Sequence, residues 1–107
     1  MKPITADSQN FDDLVLKSQS PVLVDFWAEW CPPCRVLGPM LDRAADDLGE
    51  DVNIVKVDAD ASADLMQRFG VSSIPTLILF HNGEEIERRV GPEGLAPLRE
   101  RALSLVP

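Results

Sequence analysis

Val22-Leu23-Val24-Asp25-Phe26-Trp27-Ala28-Glu29-Trp30-Cys31-Pro32-Pro33-Cys34 is the stretch on which the reading of the chain turns. Its first six residues are a short, nearly continuous apolar run, the pattern of a strand buried on both faces of a sheet. Helical spacing follows. Leu37, Leu41, Ala44 and Leu48 fall at i, i+4, i+7 and i+11, one stripe that Gly49 can end. Pro39 lies inside that stripe, where its ring removes a backbone hydrogen bond, so a kink is expected. The two cysteines therefore sit where a buried strand hands over to a helix.

Working outward, the same alternation continues. Phe11, Leu14 and Val15 have helical spacing behind Asp7 and Ser8, either of which can cap a first helix, and Pro21 stops that pattern. Asn53–Asp58 reads as a second strand. Ser62, or Asp60 just ahead of it, can cap a short helix through Leu65 and Phe69 that Gly70 ends. Thr76–Phe80 is a third buried strand, and Asn82-Gly83 signals a two-residue hairpin into a strand over Glu85–Val90. Leu95, Leu98, Ala102 and Leu105 mark a last helix, with Pro97 in its first turn. The order is β-α-β-α-β-β-α after an N-terminal helix: an α/β fold with helices on both faces of a mixed sheet. No repeat, linker or low-complexity stretch interrupts it, so a single domain over residues 1–107 is expected.

Composition narrows the function. The chain has 107 residues, with 18 acidic against 10 basic side chains and a formal charge of −8. That balance argues against nucleic acid or an anionic membrane as partner, since both demand clustered Lys and Arg. No apolar run approaches the roughly 18 residues of a membrane helix. Met1–Asn10 has no apolar core like that of a secretory signal, so a cytoplasmic location is expected.

Cys31 and Cys34 are the only cysteines. A residue at the first turn of a helix faces unpaired N–H groups and the positive end of the dipole. A thiolate there is stabilised and becomes a nucleophile near neutral pH. Two intervening residues let the pair close a small ring, so a mixed disulfide on one sulfur can be resolved by the other. Cys31 is expected to lie exposed at the helix tip and Cys34 one turn in and covered. Half of a zinc site is the first alternative, but it needs four ligands and only His81 is available besides. A purely structural disulfide is the second, disfavoured by the reducing cytosol and the short loop. No metal site is expected.

Val24-Asp25-Phe26-Trp27-Ala28-Glu29-Trp30-Cys31, the Cys-x-Pro-Cys ending, Ile74-Pro75-Thr76 and Asn82-Gly83 together resemble the thioredoxin family over essentially the whole chain. The resemblance implies a thioredoxin fold, a central mixed sheet of four to five strands flanked by about four helices. It implies reduction of protein disulfides, with Cys31 attacking and Cys34 resolving. No bound cofactor is implied. The dithiol is instead restored by a flavin-containing thioredoxin reductase using NADPH, and the other partners are disulfide-containing proteins met by a monomer.

Other residues read both ways. Asp25 interrupts an apolar strand, where a buried charge costs several kcal/mol unless paired or protonated. It is either a carboxylate neutralised by a partner or a base of raised pKa. The resemblance implies the second, taking the Cys34 proton with a lysine nearby, and Lys56 on the next strand fits. Pro75 follows Ile74 in an X-Pro bond whose cis form has a base rate of about 5–6%; the resemblance implies a cis-proline facing the cysteines. A residue without an N–H there leaves the preceding backbone free to pair with an extended substrate strand. Trp27 and Trp30, adjacent to the motif, read as wall and rim around the sulfurs, and the resemblance adds Gly91 to the groove beside Ile74.

The main departure is Pro32, where the family usually has Gly. Pro32 and Pro33 together remove both N–H groups between the cysteines, leaving the Cys34 N–H as the main local donor to a thiolate. Pro33 also pushes Pro32 from the helical region. Gly38 before Pro39, and Pro92 after Gly91, are smaller departures. Ser72 and Ser73 read equally as loop solvation or substrate contacts. Two rival functions remain at this level. One is a binding module that grips a partner without redox turnover, which would require neither cysteine nor Asp25 nor Lys56. The other is a dithiol oxidase or isomerase, which would use the same residues at a different potential.

Overall fold

A computed structural model describes residues 2–107. Five strands form one sheet in the order β1-β3-β2-β4-β5. They are β1 (Ile4–Ala6), β2 (Val22–Trp27), β3 (Asn53–Asp58), β4 (Thr76–His81) and β5 (Glu84–Val90). β1 and β2 both run parallel to β3, while β4 is antiparallel to both β2 and β5. The sheet is mixed, as expected. Three α-helices cover it: α1 (Pro32–Leu48), α2 (Ala63–Arg68) and α3 (Leu95–Ser104). No helix among the described residues is long and apolar enough to cross a membrane.

The alternation of side chains along β2 divides the core. Val22, Val24 and Phe26 face one side, packed with Phe11, Val15, Leu65 and Phe80. Leu23 faces the other, packed with Leu37, Leu41, Ile54, Leu77 and Leu98 beneath α1 and α3. Both faces are buried, which is why the β2 sequence is apolar without alternation. By the same period of two, Asp25 and Trp27 share the face of Leu23, and Lys56 shares that of Ile54. Asp25 is paired in register with Lys56 on β3 and with Leu77 on β4. The register thus places a carboxylate and an ammonium-bearing side chain on the face covered by α1.

Several local expectations change. Strand β1 carries no strong apolar signal; its residues are mostly exposed, and pairing with the edge of β3 makes it a strand. The first helix is only a π-helical turn over Asp12–Leu16, entered through Phe11 and held on the core by Phe11 and Val15. Ser62 occupies the cap position of α2 but makes no side-chain cap bond. Asp58 Oδ1 instead accepts from the N–H groups of Asp60 and Ala61. Helix α1 continues through Pro39 without ending. Asn82 and Gly83 have φ of 53° and 80°, the pair of positive values a type I′ hairpin needs.

Candidate active site

One end of the sheet gathers the residues singled out above. The C-terminal ends of β2, β3 and β5 lie together there with the N-terminal end of β4, as the strand directions dictate. The loop after β2 carries Trp30 and Cys31, the loop before β4 carries Ile74 and Pro75, and the segment after β5 carries Gly91.

Cys31 and Cys34 are joined in a disulfide, with Cα atoms 5.3 Å apart. Cys31 is the N-cap of α1 in an extended conformation, and the Cys34 N–H donates to its sulfur at 3.3 Å. Pro32 and Pro33 occupy the first helical turn, where a missing N–H costs no intrahelical bond. A proline there suits the helix, but it leaves the Cys31 sulfur with the Cys34 donor alone from this loop. Both prolines are exposed and frame the disulfide.

The expectation that Cys31 stands exposed is corrected. Cys31 is 3% exposed and Cys34 5%, so both are buried. Ala28, Trp27 and Ile74 pack against the pair, and the Cys31 Sγ rests 3.8 Å from the Ile74 carbonyl oxygen. Cys31 is at the helix tip, but the tip is set into the loop before β4, a long-range contact that cysteine spacing cannot show. The Ile74–Pro75 peptide bond is cis. Ser72 and Ser73 are exposed, and Thr76 Oγ1 donates to the Ser73 carbonyl, closing the loop from within.

Beneath the disulfide, Asp25 is 1% exposed and its Oδ1 has no hydrogen-bond partner among the described residues. Burial pushes its pKa up to about 7, with the Lys56 charge acting in the opposite direction. Lys56 does not form an ion pair with it. Its Nζ instead lies 4.6 Å from the centroid of the Trp27 ring, a cation–π contact that holds the ammonium beside the site. Trp27 is thus a wall beside cation and sulfurs, and its own Nε1 is buried without a hydrogen-bond partner among the described residues. A pocket of about 160 Å³ opens between Trp27, Cys34, Arg35, Gly38 and Lys56. Gly38 contributes by having no side chain. A Cβ there would meet nothing within 4 Å, so the pocket is open up to its backbone.

Trp30 is 64% exposed, an unusual position for an indole, and its Nε1 donates to Asp60 Oδ2 at 2.9 Å. Asp60, weighed from sequence only as a helix cap, is therefore what fixes the rim tryptophan. Nothing in its spacing could show this, because the bond spans thirty positions. Gly91 has φ of 94°, and its N–H donates to the Pro75 carbonyl at 2.9 Å, fastening the end of β5 to the cis-proline loop. A Cβ at Gly91 would lie within 2.8 Å of the Glu93 carboxylate, which is folded back over it. No group of three His, Cys, Asp or Glu side chains placed to hold a metal occurs among the described residues.

The thioredoxin family model matches residues 2–103. The chain belongs to the thioredoxin family. A thioredoxin of Rickettsia bellii is 46% identical over 83 residues, covering 78% of this chain and 79% of that protein. A thioredoxin of Mycobacterium bovis is 41% identical over 104 residues, 97% of this chain and 90% of its own length. A bifunctional thioredoxin reductase/thioredoxin of Mycobacterium leprae is 42% identical over 101 residues, which cover 94% of this chain and 22% of that protein. Membership and the bonded Cys31–Cys34 pair make this chain a thiol–disulfide oxidoreductase, with the protein-disulfide reductase activity typical of the family.

Proposed function

We propose that Cys31 attacks and Cys34 resolves in the reduction of disulfides on partner proteins, within one domain spanning residues 1–107. The observation that carries this assignment is the asymmetry of the pair. The Cys31 sulfur sits at the cap of α1 and receives the Cys34 N–H, whereas Cys34 lies inside the helix on the Asp25 face. In the reduced protein, the same donor and the helix terminus favour the thiolate on Cys31.

The Cys31 thiolate attacks one sulfur of the partner's disulfide; that S–S bond breaks and the partner's other sulfur leaves as a thiolate. Cys34 then loses its proton to Asp25 and attacks the Cys31 sulfur, releasing the second partner thiolate and closing Cys31–Cys34. Two electrons pass to the partner, and two protons complete its dithiol. Asp25 suits the base role because its pKa of about 7 lets it accept and return a proton near neutrality. Lys56, held on Trp27, stabilises the carboxylate that results when Asp25 gives the proton up again. The pocket lined by Cys34 and Lys56 opens the resolving cysteine to solvent.

Trp30, Pro32, Ile74, Pro75 and Gly91 form the surface on which the partner's chain lies, with the Ile74 backbone available to an extended strand. Pro33 and Pro39 act through α1, one shaping its first turn and the other lying within it. A flavin-containing thioredoxin reductase using NADPH restores the dithiol; the fused reductase/thioredoxin of Mycobacterium leprae supports this pairing. A dithiol recycled in this way works where the nucleotide is, which supports a cytoplasmic location. The partners are proteins rather than nucleic acid or membranes, and the chain works as a monomer.

Substoichiometric iodoacetamide at neutral pH tests the asymmetry. Peptide mass spectrometry of the reduced protein is expected to find Cys31 alkylated about tenfold more than Cys34, since the helix terminus and the Cys34 N–H favour the thiolate on Cys31. Equal labelling, or preference for Cys34, would reverse the assignment.

Pro32 tunes the couple. With one donor on the Cys31 sulfur, the thiolate is less stabilised and the closed disulfide is favoured. A Pro32→Gly protein is expected to have a higher, more oxidising midpoint potential by on the order of 30 mV, equivalent to one hydrogen bond of about 1.4 kcal/mol. Redox titration against glutathione measures it, and an unchanged or lower potential would refute the role.

A further inference from the structure

We infer that Glu93 selects among disulfide substrates, favouring those with a Lys or Arg beside the half-cystine that Cys31 attacks. The inference rests on the reading of Cys31 as the attacking sulfur of a protein-disulfide reductase.

Two contacts tie the segment that carries Glu93 to the loop beside the disulfide. The Gly91 N–H bonds the Pro75 carbonyl, and Val90 pairs with Thr76, so the segment after β5 lies against the loop on which the Cys31 sulfur rests. The Glu93 side chain then folds back over Gly91, and all three of its terminal atoms lie within 2.8 Å of where a Cβ would stand. Glycine at 91 is thus what lets a carboxylate lie flush on the substrate-facing backbone.

That carboxylate is uncompensated. The cations nearest in sequence on β5 are already engaged: Arg88 bonds Glu85 at 2.6 Å and Arg89 bonds Glu87 at 2.8 Å. Arg35 spends its Nε on the Glu29 carbonyl, and Lys56 lies over Trp27. Glu93 itself is exposed and makes no ion pair or hydrogen bond among the described residues. In a chain of net charge −8, an approaching disulfide meets this carboxylate without an ion-pair partner to cancel it. An exposed pair of this kind supplies discrimination more than affinity, and it weakens with salt.

The test uses three disulfide-linked peptides, identical except for Lys, Gln or Glu beside the half-cystine, reduced by the parent and by Glu93→Gln. At low salt the parent is expected to prefer the Lys over the Glu peptide about fivefold in kcat/KM, since attraction in one and repulsion in the other add. In Glu93→Gln that ratio should fall below about twofold, and about 0.5 M salt should have the same effect on the parent. A Lys-to-Glu ratio unchanged in Glu93→Gln would overturn the inference. Reduction of the Gln peptide by the parent separately checks the underlying activity. Were the parent to reduce no peptide, the reductase reading would fail, and equal binding of the three peptides by Cys31→Ser protein would then reject the role of Glu93 as well.

Discussion

A Cys34→Ser protein given an oxidised protein substrate is expected to stop as a covalent mixed disulfide through Cys31, while Cys31→Ser should lose at least about 100-fold in insulin reduction. The two effects differ because the sulfurs are placed differently. Cys31 is the cap of α1 and its sulfur rests against the Ile74 carbonyl, beside the surface proposed for a partner chain. Without it, no bond to the partner forms. Cys34 sits inside α1 rather than at its cap, and its removal leaves the first bond formation intact but takes away the only internal thiol that can displace Cys31. Intact mass of the Cys34→Ser mixture should show protein plus substrate, and dithiothreitol should release it. Near-parental insulin reduction by Cys31→Ser would overturn the order of attack.

Replacing Asp25 by Asn is expected to abolish a large pH dependence of stability. The Asp25 carboxyl moves from an ordinary value of 3.8 in the unfolded chain to about 7 in the folded one, because burial disfavours the charged form. In that interval the native state holds a proton that the unfolded state has lost. The parent's stability from this group is therefore full below about pH 4 and is lost as pH rises through about 7, by roughly 4 kcal/mol in all. Asn cannot ionise, so its curve lacks this slope. Guanidinium unfolding of the oxidised proteins at pH 5 and pH 8 should show Asn gaining on the parent by about 2–3 kcal/mol between the two, whatever its fixed packing cost. A difference between the proteins that does not change with pH would show that Asp25 titrates normally. The same substitution should slow release from the mixed disulfide, since Cys34 then lacks its proton acceptor.

Much of this site is legible from the chain, and for local reasons. The β2 run and the stripe Leu37, Leu41, Ala44 and Leu48 report burial directly, and the Asn82-Gly83 turn follows from a backbone requirement. Asp25 stands out because a carboxylate in an apolar strand violates the rule its neighbours obey. The failures are equally specific. Strand β1 carries no local signal because its residues are mostly exposed and become a strand by pairing with the edge of β3. The helix-tip position predicts an exposed Cys31, whereas the contact that covers it comes from Ile74, far along the chain. Asp60 reads locally as a helix cap and Glu93 carries no local signal, since a hydrogen bond to Trp30 and a carboxylate over Gly91 leave no trace in local spacing.

By itself, then, the sequence determined four of the five strands, the three α-helices, their order and the identity of the reactive pair, because periodicity, turn chemistry and cysteine spacing act over a few residues. Tertiary structure alone decided how that pair is surrounded. Strand register set Lys56 opposite Asp25, and the loop before β4 buried the Cys31 sulfur. The segment after β5 folded an exposed carboxylate over Gly91, beside the cis-proline loop. The physical reason is the same in each case: burial, pKa and field are properties of neighbours in space, and at this site those neighbours come from four separate segments of the chain.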